Sequence, residues 1–155
     1  ATRLHSPTLF LRLNYAVELR YGVLLDVAQK VWHEEPVDVT MGHANVIWQG
    51  DANAAALQAL ALADVPPVPL NLTGPETISV RWLAEQFGAL LGRAPRLTGA
   101  EQPTALLNNA RRAHERFGYP QVPLGRVTAW VADWVRSGGP TLDKPTKFQV
   151  RDGKF

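Results

Sequence analysis

The chain has 155 residues and a mass of 17.1 kDa, with 46% hydrophobic and 19% charged residues. This size and mixture predict one globular domain with a real core and exclude a wholly disordered chain. Sixteen basic and fourteen acidic residues leave a formal charge of +2, so charge alone indicates neither a nucleic-acid nor a membrane partner.

The composition also bounds the compartment and the chemistry. There is no cysteine, which excludes disulfides, thiolate metal sites and cysteine nucleophiles and fits a reducing compartment. No apolar run reaches the roughly 20 residues that a membrane-spanning helix needs. The first seven residues lack the apolar centre of a secretory signal. We therefore expect a soluble cytoplasmic protein.

The first half of the chain alternates short apolar segments with helical patterns. Residues 23–32 carry apolar side chains at helical spacing, and the pattern stops before Pro36. Asp51 stands where an N-cap belongs, ahead of the alanine- and leucine-rich helix predicted for 52–63. Short apolar segments predict three strands, at 8–13, 37–39 and 44–49.

The second half repeats the alternation, which places the chain in the α/β class. Ser79 is the expected N-cap of helix 80–91, and Gly92 its expected C-terminal residue. Asn108 or Asn109 is expected to open a polar helix that closes at Gly118. The other predicted elements are strands at 68–72 and 96–98, a strongly periodic helix at 124–137, and a tail without regular structure.

Several kinds of catalytic or binding site are absent from the sequence. The glycines form no dinucleotide-type or phosphate-loop spacing, and no nucleophile elbow is present. The four histidines show no paired spacing, and for His33 and His114 on helices we favour solvent exposure over a ligand role, so no metal site is expected. An arginine-rich helical face is expected to be solvated rather than to bind phosphate; its members are Arg111, Arg112 and Arg116.

Five tryptophans are the most distinctive feature of the composition. Trp82, Trp130 and Trp134 occupy helical positions, where contacts with the core or between helices are expected. Trp48 differs, because it ends a predicted strand just before a helix, where ligand crevices open in α/β sheets. Trp48 is therefore a candidate binding residue.

Four segments together resemble a known family. The stretch 71–84, NLTGPETISVRWLA, is similar to a strand, glycine turn and helix of the extended short-chain dehydrogenase/reductases, and 46–51, VIWQGD, is similar to the segment ahead of it. Residues 112–120 are similar to the helix end that follows, and 11–22 to the strand after the catalytic helix. The chain thus resembles the C-terminal half of the NAD(P)-dependent epimerases and dehydratases over about residues 8–136.

The resemblance implies the C-terminal portion of a Rossmann-like NAD(P)-binding fold, with short strands, about five helices and no nucleotide-binding half. It implies that residues 1–136 are the substrate-binding half of an oxidoreductase that transfers hydride with NAD or NADP, followed by a glycine-, proline- and lysine-containing tail at 137–155. A small-molecule substrate would be lined by Asn14, Tyr15, Tyr21 and Trp48, and Asn14 would also contact the cofactor.

The chain departs from the family pattern in ways that bear on catalysis. Four residues beyond Tyr15, Tyr21 and Tyr119 stand Leu19, Leu25 and Pro123, so the family's tyrosine-x-x-x-lysine couple cannot be built. We therefore assign no catalytic residue in this chain and expect it to be catalytically incomplete alone.

A second departure concerns the substrate. Residues 43–45, His-Ala-Asn, stand where sugar-nucleotide enzymes of the family commonly carry an arginine, which argues against a nucleotide-sugar substrate.

Two other functions remain open from the sequence. One is a non-catalytic binding domain that uses the tryptophan-rich helices as an interface. The other is nucleic-acid binding by the arginine-rich helix, which the near-neutral net charge disfavours. The expected partner is the missing nucleotide-binding half, or a second copy of the chain that pairs with the otherwise open strand at 8–13. Whether Ala1 is a natural start or a cut within a longer protein also stays open.

Overall fold

The structure, a computed structural model, describes residues 5–144 and 146–150. Within these residues the chain forms a mixed α/β fold, as predicted, with eight short strands and five α-helices. The strands are β1 (Leu9–Leu13), β2 (Ala16–Val17), β3 (Pro36–Asp38), β4 (His43–Ala44), β5 (Ile47–Trp48), β6 (Val68–Leu72), β7 (Ile78–Ser79) and β8 (Arg96–Thr98). The helices are α1 (Val23–Trp32), α2 (Gln49–Ala59), α3 (Val80–Leu91), α4 (Arg111–Phe117) and α5 (Leu124–Arg136).

The strands form four two-stranded pairs rather than one continuous sheet. β1 pairs with β6 in parallel, from Leu9 opposite Val68 to Leu13 opposite Leu72. β2 pairs in parallel with β5 and β3 with β8, whereas β4 pairs antiparallel with β7. Parallel strands need a long crossover between them. The crossover between β1 and β6 carries α1 and α2.

Two apolar clusters hold these elements together. The larger lies between α1, α3 and α5, whose apolar stripes face one another, and contains the fully buried Phe87. The smaller joins β1 and β6 to α2 and α4, through the buried Leu70, Leu72 and Ala113. The helical spacing of the sequence thus predicted α1, α3 and α5 within a residue or so of their ends.

The start and end of α3 are confirmed in detail. The Ser79 hydroxyl accepts a hydrogen bond from the backbone amide of Trp82 at 3.3 Å, which is the N-cap bond expected there. Gly92 follows the helix with a φ of 67°, in the left-handed region. That conformation costs glycine little, and it ends the helix.

The predicted role of Asp51 is wrong. Helix α2 begins at Gln49, so Asp51 lies inside its first turn. Its two carboxylate oxygens accept hydrogen bonds from the backbone amides of Gln121 and Val122, at 3.2 and 3.0 Å. Because α2 begins earlier than predicted, this carboxylate is free to pair with amides of the connection between α4 and α5.

Three other predicted boundaries differ from the structure. The segment 44–49 is not one strand but β4 and β5, because the intervening Val46 carbonyl accepts from the amide of Gly74 at 3.1 Å instead of a strand partner. The helix predicted for 52–63 ends at Ala59 and continues as a short 3₁₀ turn. The polar helix begins at Arg111, whose amide is held by the Asn109 side chain at 3.0 Å.

The tail was expected to lack regular structure, and its described residues form neither helix nor strand. They are nevertheless packed on the domain. Phe148 is buried in the larger cluster, and Thr146 donates hydrogen bonds from its amide and hydroxyl to the Asp26 carboxylate on α1. The first four residues, residue 145 and residues 151–155 lie outside the described part, and the division at residue 136 stays a prediction.

The burial of Asp26 makes stability depend on pH. Burial raises the pKa of Asp26 above its ordinary value, against the smaller opposing effects of the Thr146 hydrogen bonds and Lys30. A raised folded-state pKa means that the contribution of Asp26 to stability is greatest in acid and is lost as the pH rises through that pKa. We expect Asp26→Asn, which can still accept from Thr146, to gain stability relative to the parent as the pH rises from the ordinary carboxyl pKa through the raised folded-state pKa of Asp26. Urea unfolding at several pH values measures this.

Asp38→Asn is the matched control, because the pKa shift of Asp38 has the opposite sign to that of Asp26. Hydrogen bonds from the Thr40 hydroxyl and amide hold the pKa of Asp38 below its ordinary value. That contribution is present at neutral pH and is lost as the pH falls through the folded-state pKa. Asp38→Asn should therefore lose stability relative to the parent as the pH rises from the lowered folded-state pKa of Asp38 to the ordinary carboxyl pKa, a range that lies below the one in which Asp26→Asn gains it. Parallel pH profiles for the parent and Asp26→Asn would contradict the prediction.

The open side of β1 generates a second prediction. Within the described residues β1 has one strand partner, β6, and Phe10 and Leu13 are 53% and 49% exposed. An exposed apolar edge strand is a template for pairing with another chain. We expect the 155-residue chain to associate in a concentration-dependent way, measured by light scattering, and Leu13→Lys to weaken this association. Leu57→Lys, at a 71%-exposed position on α2, should not. A monomer at every concentration refutes the prediction.

Candidate functional site

The carboxyl ends of β1 and β6 meet at one place, and the chain turns there into β2. The amide of Asn14 donates to the carbonyl of Leu72 at 3.0 Å and extends the β1–β6 pairing by one residue. Tyr15 follows with a φ of 39°, in the left-handed region, and its carbonyl accepts from the amide of Ile47 at 3.1 Å. Asn14 and Tyr15 thus form the junction between the β1–β6 and β2–β5 pairs.

Tyr15 and Tyr21 lie close enough to affect one another electrostatically. Partial burial, and secondarily the phenol of Tyr21, raise the pKa of Tyr15 above its ordinary value. A tight turn brings the two together, in which the Glu18 amide donates to the Tyr21 carbonyl at 3.0 Å. Gly22 completes the turn with a φ of 130°, where a Cβ would come within 2.8 Å of Val17. Because its pKa is raised above the ordinary value for a phenol, Tyr15 stays neutral at physiological pH.

Asn45 is the buried polar residue that organises the neighbouring loops. Its side chain is 4% exposed and donates to the carbonyl of Glu76 at 3.1 Å and to the Thr77 hydroxyl at 3.4 Å. Its Oδ1 accepts from the amide of Asn108 at 2.8 Å. One neutral amide therefore ties the turn before β7 to the loop that precedes α4.

The loop before α4 is in turn fastened to the ends of β1 and β6. The Asn108 side chain donates to the Arg12 carbonyl at 2.9 Å, and the Asn71 side chain donates to the Asn109 carbonyl at 3.1 Å. The Asn14 side chain lies 3.5 Å from the carbonyl of Leu106. The loop accordingly crosses the carboxyl ends of both strands, the position where open α/β sheets bind ligands.

A polar crevice of about 730 Å³ opens beside this loop. Its walls are amide, hydroxyl and ring side chains together with the exposed Arg111–Glu115 ion pair, whose atoms are 2.7 Å apart. The residues that define the polar crevice are Asn45, Gly74, Pro75, Thr77, Asn108–Arg111, His114, Glu115 and Tyr119. Its one lining arginine is already paired, so the crevice favours ligands with hydroxyl, carbonyl or amide groups over a bare polyanion.

His114 is not the solvent-exposed residue that the sequence favoured. It is half-buried on α4, with Nε2 3.0 Å from the Thr73 carbonyl and its ring tilted against Tyr119 at a centroid distance of 5.0 Å. The predicted exposure of His33 is correct, although it lies just after α1 rather than within it. In this position, His114 lines the polar crevice.

The tryptophan groove is a second concavity, about 540 Å³ in volume, on the side of α5. Trp48 and Trp130 meet edge to face with ring centroids 5.5 Å apart and an angle of 65° between their planes. The residues that define the groove are Leu19, Trp48, Trp130, Asp133, Trp134 and Ser137. Interhelical or core contact is correct for Trp134 but wrong for Trp82, which is 42% exposed on α3.

The four predicted site residues therefore share one junction but not one cavity. Asn14 contacts the loop beside the polar crevice, and Trp48 lines the tryptophan groove. Tyr15 and Tyr21 are close to each other but line neither concavity. Asn45 and Asn108, which organise the neighbouring loops, were not among the predicted site residues. Asn45 is the one polar residue in the run 44–48, and such an interruption of an apolar run was the available signal.

Within the described residues no helix opens on a glycine-rich turn of the kind that approaches a dinucleotide pyrophosphate. Gly74 is needed for packing, because a Cβ there would collide with the carbonyl of Val46. Residues 5–144 and 146–150 contain no group of three or more histidine, aspartate or glutamate side chains that could hold a metal ion. In the same part of the chain, no helix is long and apolar enough to cross a membrane.

Comparison with known proteins shows similarity in structure only. No family model and no curated protein matches the sequence. The fold matches a Thermus thermophilus UDP-glucose 4-epimerase in complex with NAD, with a TM-score of 0.64, 17% identity and 84% of this chain covered. A Bacillus cereus UDP-glucuronic acid 4-epimerase in complex with NAD matches with a TM-score of 0.70 and 14% identity over 88% of this chain. A Bacillus anthracis dTDP-glucose 4,6-dehydratase in complex with NAD matches with a TM-score of 0.61 and 16% identity over 83% of this chain.

These neighbours define the class of fold. The chain has the mixed α/β, Rossmann-like fold of NAD-dependent epimerases and dehydratases. It spans 47%, 47% and 44% of the length of the three neighbours, in the order given.

The buried amide of Asn45 generates a third prediction. Asn45→Ala leaves the Asn108 amide without its partner inside the protein. A buried unsatisfied polar group costs about 1–3 kcal/mol, so the free energy of unfolding should fall by about 2 kcal/mol. Hydrogen exchange at the Asn108 amide should accelerate.

Asn53→Ala, at an exposed position on α2, is the matched control and should change neither quantity. Unchanged exchange at Asn108 in the Asn45 variant would show that the loop is held without this bond.

Proposed function

We propose that this chain is the substrate-binding portion of an NAD(P)-dependent epimerase- or dehydratase-like oxidoreductase and is not catalytically complete alone. The observation that carries the proposal is the fold match, which extends over more than four-fifths of this chain but less than half of each neighbour. The tyrosine-x-x-x-lysine couple and the glycine-rich turn would belong to the portion that the match leaves uncovered.

The open edge of β1 supports the same proposal. β1 and β6 pair in parallel, and within the described residues nothing pairs with the other edge of β1. Parallel strands usually lie inside sheets covered on both faces. The proposed partner is therefore a nucleotide-binding portion whose sheet continues from β1, and a second copy of the chain is the alternative occupant of that edge.

The substrate would bind where β1 and β6 end. Asn14, Tyr15, Tyr21 and Trp48 are the proposed contacts, and Asn14 would also reach the cofactor. When bound, NAD or NADP supplies the hydride acceptor or donor. This chain would position the substrate, and its loop before α4, fastened through Asn45 and Asn108, would limit the access of water to it.

The proposed substrate is a small molecule other than a nucleoside-diphosphate sugar. The neighbours include epimerases named for UDP-glucose and UDP-glucuronic acid. In this chain, however, the neutral Asn45 uses both Nδ2 and Oδ1 for hydrogen bonds within the protein, and the crevice's Arg111 is paired through Nε with Glu115. A diphosphate placed in the polar crevice would find no unpaired cationic side chain among its lining residues.

The proposal is tested on the natural product. An antibody against residues 138–144 captures the protein from its source cells, and intact-mass spectrometry with partial sequencing identifies it. We expect a species of about twice 17.1 kDa whose upstream part contains the glycine-rich turn and the tyrosine–lysine couple, because the neighbours are about twice as long as this chain. A species of 17.1 kDa that begins at Ala1 would overturn the proposal and favour a non-catalytic binding domain.

Cofactor binding gives an independent check. Titration calorimetry with NAD and NADP should show no binding to the 155-residue chain and binding to the longer product. Within the longer product, Asn14→Ala should weaken cofactor or substrate binding, whereas Asn53→Ala on the exposed face of α2 should not. Tight binding of a dinucleotide by the 155-residue chain would contradict the assignment of that role to another portion.

A further inference from the structure

The tryptophan groove has an unusual combination of surface chemistry. Three of its six lining residues are tryptophans, and Leu19 supplies further apolar surface. Trp130 is 39% exposed although it is among the largest apolar side chains. An exposed aromatic concavity of this kind marks a binding site more often than a solvated surface.

The groove is held in shape by neighbouring backbone. The indole N–H of Trp134 donates to the carbonyl of Pro140 at 3.1 Å, and Gly139 packs so closely on the ring that a Cβ there would collide with it. The Ser137 hydroxyl donates to the Trp134 carbonyl at 3.0 Å. Trp48 is fixed by the β2–β5 pairing. The rings are thus preorganised, which lowers the entropic cost of binding a ligand.

The charge of the groove is confined to one carboxylate, which is paired through one of its two oxygens. Asp133 is the one charged residue among those that line it. Arg136, outside the lining, pairs with Asp133 Oδ1 at 2.9 Å and directs its other nitrogen, Nη2, to the carbonyl of Leu90. Asp133 Oδ2 carries no hydrogen bond to the described part of the chain. A carboxylate oxygen therefore remains available at the rim.

From this arrangement we propose that the tryptophan groove binds a small quaternary ammonium compound of the size of choline. The negative faces of indole rings attract cations, tryptophan most strongly, and methylated ammonium groups are held by such sets of rings because their charge is covered by apolar methyl groups. The carboxylate of Asp133 supplies the complementary charge. The volume of about 540 Å³ lies in the range of small-molecule sites.

This inference does not rest on the proposed function. Of the four proposed substrate contacts, only Trp48 lines the groove, and neither the missing portion nor a dinucleotide takes part. The test therefore uses the 155-residue chain without cofactor, and its outcome leaves the mass of the natural product and the cofactor titration untouched.

The chain contains its own internal reference for the experiment. Trp48, Trp130 and Trp134 line the groove, whereas Trp32 and Trp82 lie elsewhere. Titration of an isotope-labelled sample with choline should shift the indole N–H resonances of the three groove residues saturably, with a dissociation constant on the order of 1–10 mM. The resonances of the other two should stay in place.

A neutral ligand separates cation binding from apolar burial. Dimethylbutanol, the uncharged carbon analogue of choline, has the same shape without the charge and should bind at least about fivefold more weakly. Asp133→Asn should weaken choline binding about two- to fivefold and leave dimethylbutanol binding unchanged. The difference in choline affinity between the parent and Asp133→Asn should shrink at high salt.

Two substitutions provide the matched pair. Trp130→Leu should weaken choline binding at least about fivefold, whereas Trp82→Leu, at a similarly exposed tryptophan outside the groove, should leave it unchanged. Equal binding of choline and dimethylbutanol, or the absence of a saturable shift of the groove resonances, would overturn the proposal. Tighter binding of a trimethyl-lysine peptide than of choline would also overturn it, because the ligand would then be a protein partner.

Discussion

The parallel pairing of β1 with β6 is the interaction on which the remaining architecture depends. Since the two strands run in the same direction, the chain must cross from the end of one to the start of the other, and this crossover carries α1 and α2. Their carboxyl ends consequently coincide, and this places Asn14 beside the loop before α4. The direction of the two strands determines where the candidate site lies, and the side chains at the strand ends then determine its chemistry.

The extent to which the sequence predicts this fold follows from how each element is stabilised. Helices α1, α3 and α5 bury one apolar stripe each, so their spacing is visible in the sequence and their positions were predicted correctly. Asp51 was misassigned because a carboxylate near a helix start has two possible sets of amides to bind, and only the tertiary structure places Gln121 and Val122 within its reach.

Asn45 shows the same limit at the candidate site. Asn45 and Asn108 come from segments more than 60 positions apart, and the hydrogen bond between them depends on the fold. The resemblance of short segments to a dehydrogenase family correctly predicted the fold class, which the structural neighbours share. It could not indicate that Asn14 would contact the loop before α4 while Trp48 lines the tryptophan groove, because Asn14 precedes β2 by two positions and Trp48 lies in β5, the strand that pairs with β2.

The opposite sides of that pair have different chemistry, and the difference has a physical origin. In an extended strand, consecutive side chains point to opposite faces, so Ile47 joins the smaller cluster near the polar crevice while Trp48 joins the larger cluster and α5. On the first side the loop before α4 is held by neutral amides, which suits the exchange of hydrogen bonds with a polar ligand. On the second side the tryptophan rings lie beside Asp133, whose Oδ2 Arg136 does not contact, and this suits the proposed ligand, which is cationic and poorly hydrated. A two-residue strand therefore separates two environments, and a ligand that fits one lacks the groups that the other would recognise.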